Sequence, residues 1–182
     1  MLKNLHRATM EWWHAPRIAH ITLQGNIDHN TTHSVTRSLE YTTKWYKGSK
    51  AIALTINSSG GSSAQSLIIV QKIRNYCKNK KIPLYTFGEE QACSAGYLVL
   101  SSGDKVYVEN SSVVGSIGAI YQMGYLNKLL TKVGLEYRSI HTGTGSLTSL
   151  IDPLEKYNKK KVTAAMTKSV TSIQAKFLAH VK

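Results

Sequence analysis

Apolar and polar positions alternate from Ile18 to Gln24 (IAHITLQ) and stop at Gly25, the period of a half-buried strand. Over Thr31 to Trp45 the period lengthens. Ser34, Ser38 and Thr42 fall on one face and Val35, Leu39 and Trp45 on the other, which predicts a helix closed at Gly48. Ala51 to Ile56 (AIALTI) is continuously apolar, as expected of a strand buried in a parallel sheet. It breaks at Asn57-Ser58-Ser59-Gly60-Gly61, after which Ser62 is placed to cap a helix. That helix is predicted over Ala64 to Lys78, with Leu67, Ile68, Val70, Ile73, Tyr76 and Cys77 at helical spacing. Pro83 then marks a strand from Leu84 to Phe87.

The rhythm continues with a helix starting near Cys93 and Ser94 and running to Leu100, and a strand from Lys105 to Val108. A short helix is predicted over Leu126 to Val133, ending at Gly134, and a strand over Leu135 to His141. After Pro153, the positions Val162, Met166, Val170, Ile173, Phe177 and Val181 step by four or three, the stripe of one long amphipathic helix serving as core or oligomer contact. A βαβαβ alternation implies parallel strands covered by helices. No repeat or low-complexity linker interrupts the chain, so one domain is expected over residues 17–182. Residues 1–16, with Trp12 beside Trp13, read as an extension for targeting or docking.

Composition narrows the picture. A chain of 182 residues with 42% hydrophobic and 18% charged residues can bury a core without disulfides or metals. Lys and Arg number 23 against 10 Asp and Glu, and a net charge of +13 calls for a counter-charge: an acidic protein, anionic lipid or RNA. Lysines cluster at Lys78, Lys80 and Lys81 and at Lys156, Lys159, Lys160 and Lys161. No aromatics interleave with them and no zinc-finger or RNP pattern is present, which argues against reading of nucleic-acid sequence. Cys77 and Cys93 fit neither a disulfide framework nor a zinc site, and suggest a reducing compartment. No cofactor or metal is expected. No run reaches the ~20 apolar residues of a membrane span. The basic start, with Lys3, Arg7 and Arg17 against Glu11, is compatible with a mitochondrial segment, the bacterial cytoplasm being the alternative location.

Two turns carry candidate chemistry, because open α/β sheets place ligands where buried strands end. At Asn57-Ser58-Ser59-Gly60-Gly61, adjacent glycines allow backbone amides to face a ligand, as an oxyanion hole requires, although a tight turn into a helix explains the pair equally well. At Ala92-Cys93-Ser94-Ala95-Gly96-Tyr97, a serine opens a helix between small neighbours, with room for a substrate carbonyl and the helix N-terminus behind developing negative charge. Taken alone, that serine reads more simply as a helix cap.

In order along the chain, the NSxGG turn, the ACSAGY turn and the later Gly115-Ser116-Ile117-Gly118 resemble the signal peptide peptidase A and SohB-type serine proteases, from about Ile18 to Pro153. The resemblance implies an α/β fold: a ClpP/crotonase-like spiral of ββα units, its mostly parallel sheet flanked by helices, with a long C-terminal helix. It implies Ser94 as nucleophile, Gly60 and Gly61 with the Ala95 amide as oxyanion donors, and Gly115, Ser116 and Gly118 as shapers of the substrate cleft. The family pairs its serine with a deprotonated lysine. Here that position holds Ser146, a hydroxyl too weak a base at neutral pH. Ser59 stands for the family proline and Ala95 for its first glycine after the nucleophile, and His141 is the imidazole nearest the lost lysine along the chain.

Three readings follow. The first is a catalytically degenerate, structural subunit of a larger homo- or hetero-oligomeric assembly. The second is a serine peptidase acting on peptides through Ser94, its base supplied by a partner subunit. The third is a crotonase-type acyl-CoA binder.

Overall fold

The computed structural model describes residues 17–45, 48–140, 142, 152–154 and 159–181. The chain divides into two compact units, one ending at Ile117 and taking in the last residues from Ala179, the other running from Gly118 to Leu178.

The first unit holds β1 (Arg17–Gln24), α1 (His29–Trp45), β2 (Ser49–Ser58), α2 (Ser63–Lys80), β3 (Leu84–Cys93), α3 (Ala95–Leu100), β4 (Lys105–Val108) and β5 (Val113–Gly115). The strands form a five-stranded sheet in the order β1-β2-β3-β4, with β5 pairing the far end of β3. Every ladder is parallel. Ala19, Ile21 and Leu23 of β1 turn inward while Ile18, His20, Thr22 and Gln24 are exposed, the alternation read from the sequence. Ile52, Leu54 and Ile56 of β2 are fully buried. Ser62 caps α2 as expected, its hydroxyl accepting from the Gln65 amide at 3.3 Å.

Three details depart from the expectations. The inward stripe of α2 is Ser66, Ile69, Val70, Ile73 and Cys77, with Ile68 exposed, because packing selects one helical face from an all-apolar run. Thr42 of α1, placed on the polar face by spacing, is buried, its hydroxyl satisfied by the Ser38 carbonyl at 2.9 Å. β3 runs on to Cys93, since its far half pairs with β5 through Gln91, Ala92 and Cys93 even though Glu89 and Glu90 interrupt the apolar run. Both glutamates are exposed, as a solvated strand segment requires.

The turn after α3 is tied down by Asp104. Its carboxylate accepts from the Leu84 amide and from Arg74, both at 2.7 Å, and its own amide donates to the Leu84 carbonyl at 2.8 Å. One side chain thereby links α2 to the entrances of β3 and β4. Nearby, burial pushes the Cys77 thiol up to about 11, leaving it an inert core residue.

At the other end of the sheet, Ile27 bridges Gly61: the Ile27 amide donates to the Gly60 carbonyl and the Ser62 amide to the Ile27 carbonyl, each at 2.8 Å. The approach leaves no room for a side chain. A Cβ on Gly61 would lie 2.4 Å from the Ile27 carbonyl oxygen and 2.7 Å from its amide nitrogen, and the residue sits at φ +138°.

The second unit contains α4 (Asn127–Lys132) and most of α5 (Lys159–Val181). Val162, Met166 and Phe177 of the α5 stripe are buried, whereas Ile173 is exposed. The strand expected over Leu135 to His141 is not formed: residues 135–140 belong to no ladder, and Leu135, Tyr137 and Ile140 are exposed. Alternating side chains make a strand only where a neighbour satisfies the backbone. His141 itself lies outside the described residues. Among the described residues no helix is long and apolar enough to cross a membrane.

Two predictions follow from these ties. The Leu84 amide, and after it Arg74, hold the Asp104 carboxyl below its ordinary range. Its contribution is therefore complete above the usual carboxylate pKa of about 4 and disappears as pH falls through the lowered value. Denaturant midpoints measured on either side of that range should fall less steeply with acid for Asp104→Asn than for the parent chain; parallel curves would refute the assignment. Gly25 and Gly61 both have positive φ, but a Cβ on Gly25 meets nothing within 4 Å. Gly25→Ala should cost about 1–2 kcal/mol, and Gly61→Ala about 3 kcal/mol or more because backbone must also move. Equal losses in calorimetry would contradict the close approach at Ile27.

Candidate active site

The site is assembled where β2 and β3 end. Past Ile56 the pairing with β3 shifts register, so that Ser58 comes opposite Ala92. Ser58 is completely buried, and its hydroxyl spans Gly60, accepting from the Gly60 amide at 3.1 Å and donating to the Gly60 carbonyl at 3.3 Å. This clasp forces a tight turn, and Gly60 adopts φ +123°, a conformation that suits glycine. The second glycine then lies between the two hydrogen bonds made by Ile27 without using its own amide.

β3 delivers Ser94 to the same place. Ser94 sits at φ 50°, ψ −119°, an uncommon conformation for a residue with a side chain, of the kind that surrounding structure must impose. Both of its backbone groups are held: the amide donates to the Gly115 carbonyl at 2.8 Å, and the carbonyl accepts from Leu98 at 3.1 Å. The hydroxyl does not cap α3, as a structural serine at this position would, and has no hydrogen-bond partner among the described residues. It is partly exposed.

The two turns meet at Gly60. A Cβ added there would lie 2.9 Å from the Ser94 Cβ and 3.5 Å from its Oγ. Gly96 makes a second contact, since a Cβ on it would lie 3.0 Å from the Ser58 carbonyl oxygen. Two of the small residues read from the sequence thus serve close packing between the turns. The amides of Gly61 and Ala95 immediately follow the contacting pair, and among the described residues no acceptor meets either one. The Gly60 amide, expected as an oxyanion donor, is instead engaged by Ser58. Gly60 contributes space, and the free donors are Gly61 and Ala95. Because α3 has only six residues, its dipole adds little positive charge behind them.

Gly115 and Ser116 both have positive φ, 118° and 55°. Their loop acts through the Gly115 carbonyl that fixes the Ser94 amide, while Cys93 Sγ donates to the Val113 carbonyl at 3.4 Å. Gly118 falls at the start of the second unit, with open space where its side chain would be. Ser146 lies outside the described residues. Among the described residues no three His, Cys, Asp or Glu side chains group as metal ligands. The residue missed in the sequence was Ser58, whose signal was its place between a buried strand and a glycine pair. The arrangement offers a hydroxyl and two free amides, the parts for addition to a carbonyl. Among the described residues no side chain is hydrogen-bonded to Ser94 Oγ as a base would be.

The chain is similar to several known proteins. Relatives include the Na(+)/H(+) antiporter NhaA of Brucella melitensis, 35% identical over 60% of this chain and 14% of that protein. Protease 4 of Haemophilus influenzae is 32% identical over 59% of this chain and 17% of its own length. A putative signal peptide peptidase SppA of Enterococcus faecium is 29% identical over 63% of this chain and 33% of its own. The chain therefore spans about a third or less of these curated relatives. Among solved structures, a membrane-bound stomatin-specific protease in complex with a substrate peptide has a TM-score of 0.47 at 20% identity, over 60% of this chain and 48% of that one. The Clp protease model matches residues 9–122 and the model of peptidase family S49 matches residues 77–182. More than half of the 182 residues fall under the latter, and the chain, with its mostly parallel, ClpP-like sheet flanked by helices, belongs to peptidase family S49.

Proposed function

We propose that this chain is a catalytically degenerate peptidase subunit that keeps the carbonyl-holding half of a serine peptidase site and lacks its own base. The observation that carries this reading is that Ser94 is pinned through its backbone and packed on Gly60 while its hydroxyl has no hydrogen-bond partner among the described residues. The family base would stand where the sequence has Ser146, and a neutral hydroxyl cannot take the proton. Such a chain binds an extended peptide and serves as a structural member of an oligomer. The charge of +13 supports docking to an acidic neighbour in that assembly.

A second reading is favoured by the same serine. A φ of 50° costs stability and brings a degenerate site no benefit, which supports a nucleophile that works once a partner subunit supplies a lysine.

Labelling by a fluorophosphonate probe separates the two. The isolated chain should label no faster than Ser94→Ala. Ser146→Lys should accelerate labelling of Ser94 by about 10²–10⁴-fold, the usual worth of a general base. Fast labelling of the unaltered chain alone would refute the degenerate reading, and Ser94-dependent labelling only in the native assembly would establish a base in trans. A folded Ser146→Lys chain that stays silent would show that the lysine position has been misassigned.

A further inference from the structure

A cleft of about 720 Å³ in the first unit lies away from Ser94, along the outer edge of β1. Its floor is Ile18, Ala19 and His20, and its wall is the α1 face bearing Asn30, His33 and Arg37. A second cleft of about 340 Å³, lined by Thr22, Gln24, Asn30 and Ser34, shares Asn30 and Ser34 with the first. The two form one trough that follows the strand.

Its chemistry has two parts. β1 ends the sheet order, so one edge of its backbone has no partner strand among the described residues. Gly25 donates to the Asn57 carbonyl of the β2 ladder. By the two-residue repeat of a parallel ladder, Leu23, Ile21 and Ala19 also face β2, and the amides and carbonyls of Ile18, His20 and Thr22 point away from it. Free edges of this kind recruit extended chains. The second part is charge. Arg37 supplies it, one helical turn from His33; the His20 imidazole is engaged by the Thr55 hydroxyl at 2.7 Å, and no Asp or Glu lines either cleft.

We propose that the β1 edge is a docking site for an extended acidic segment of a partner protein, which adds as a further strand while its carboxylates meet Arg37. An eight-residue strand with a free edge accommodates about six residues of such a segment. A second copy of this chain is a poor occupant, since it brings 23 basic residues against 10 acidic ones. The proposal does not depend on catalysis at Ser94.

The test uses the full chain and a fluorescein-labelled peptide of alternating Glu and Val, read by fluorescence anisotropy. The peptide should bind, more weakly as salt rises. Arg37→Glu, on an exposed helix face, should weaken binding at least about tenfold without changing the thermal midpoint. N-methylation of alternate peptide amides should abolish binding at unchanged charge. Equal binding of the methylated peptide would overturn the proposal in favour of a diffuse electrostatic contact. Insensitivity to Arg37→Glu would also overturn it. A trough that ignores the peptide but binds RNA in an Arg37-dependent way would show that the occupant is nucleic acid instead.

Discussion

At Gly60 there is space for a hydrogen and nothing larger, and the geometry around Ser94 depends on that restriction. The Ser94 Cβ lies where any side chain at Gly60 would have to go. Two separate devices keep the surfaces this close. The Ser58 hydroxyl closes the first turn from within the core, and the Gly115 carbonyl fixes the second through the Ser94 amide. Both lie where parallel strands end, so the sheet brings them together without any contribution from loop length. The cost of the strained serine is met by the fully buried residues behind it, Ile52, Leu54 and Ile56 on β2 and Leu98, Val99 and Leu100 on α3.

Holding a carbonyl and activating a nucleophile are separable tasks. Free amides need only the two turns, whereas a base must arrive from elsewhere with its pKa already lowered by burial. Nothing in the packing of the turns depends on that base. A chain without such a base would keep the packing of these turns, and on the proposed function one substitution turns a peptidase site into a holding one.

Much of the architecture was legible in the residues. AIALTI marks a central strand, Ser62 a cap, and KVYV a strand whose ends coincide with those of β4. The failures share one cause. Leu67 to Val70 is apolar throughout, so only packing could choose Ile69 over Ile68. Leu135 to Ile140 alternates like β1 yet finds no neighbouring strand, and β3 continues past two glutamates because β5 is there to receive it. At the site, the residue types gave the Ser94 turn and the glycine pair. They could not show that Gly60 gives its amide to Ser58, since backbone direction leaves no trace in side-chain identity.

The sheet also has a kinetic consequence. Each parallel ladder closes only after its crossover, because no tight turn can join parallel strands. The chain therefore cannot zip its sheet together from a hairpin, and pairing must wait for loops spanning whole helices to close. The two turns at the site complete only when those strands have paired, so the shape of Ser94 depends on the finished sheet.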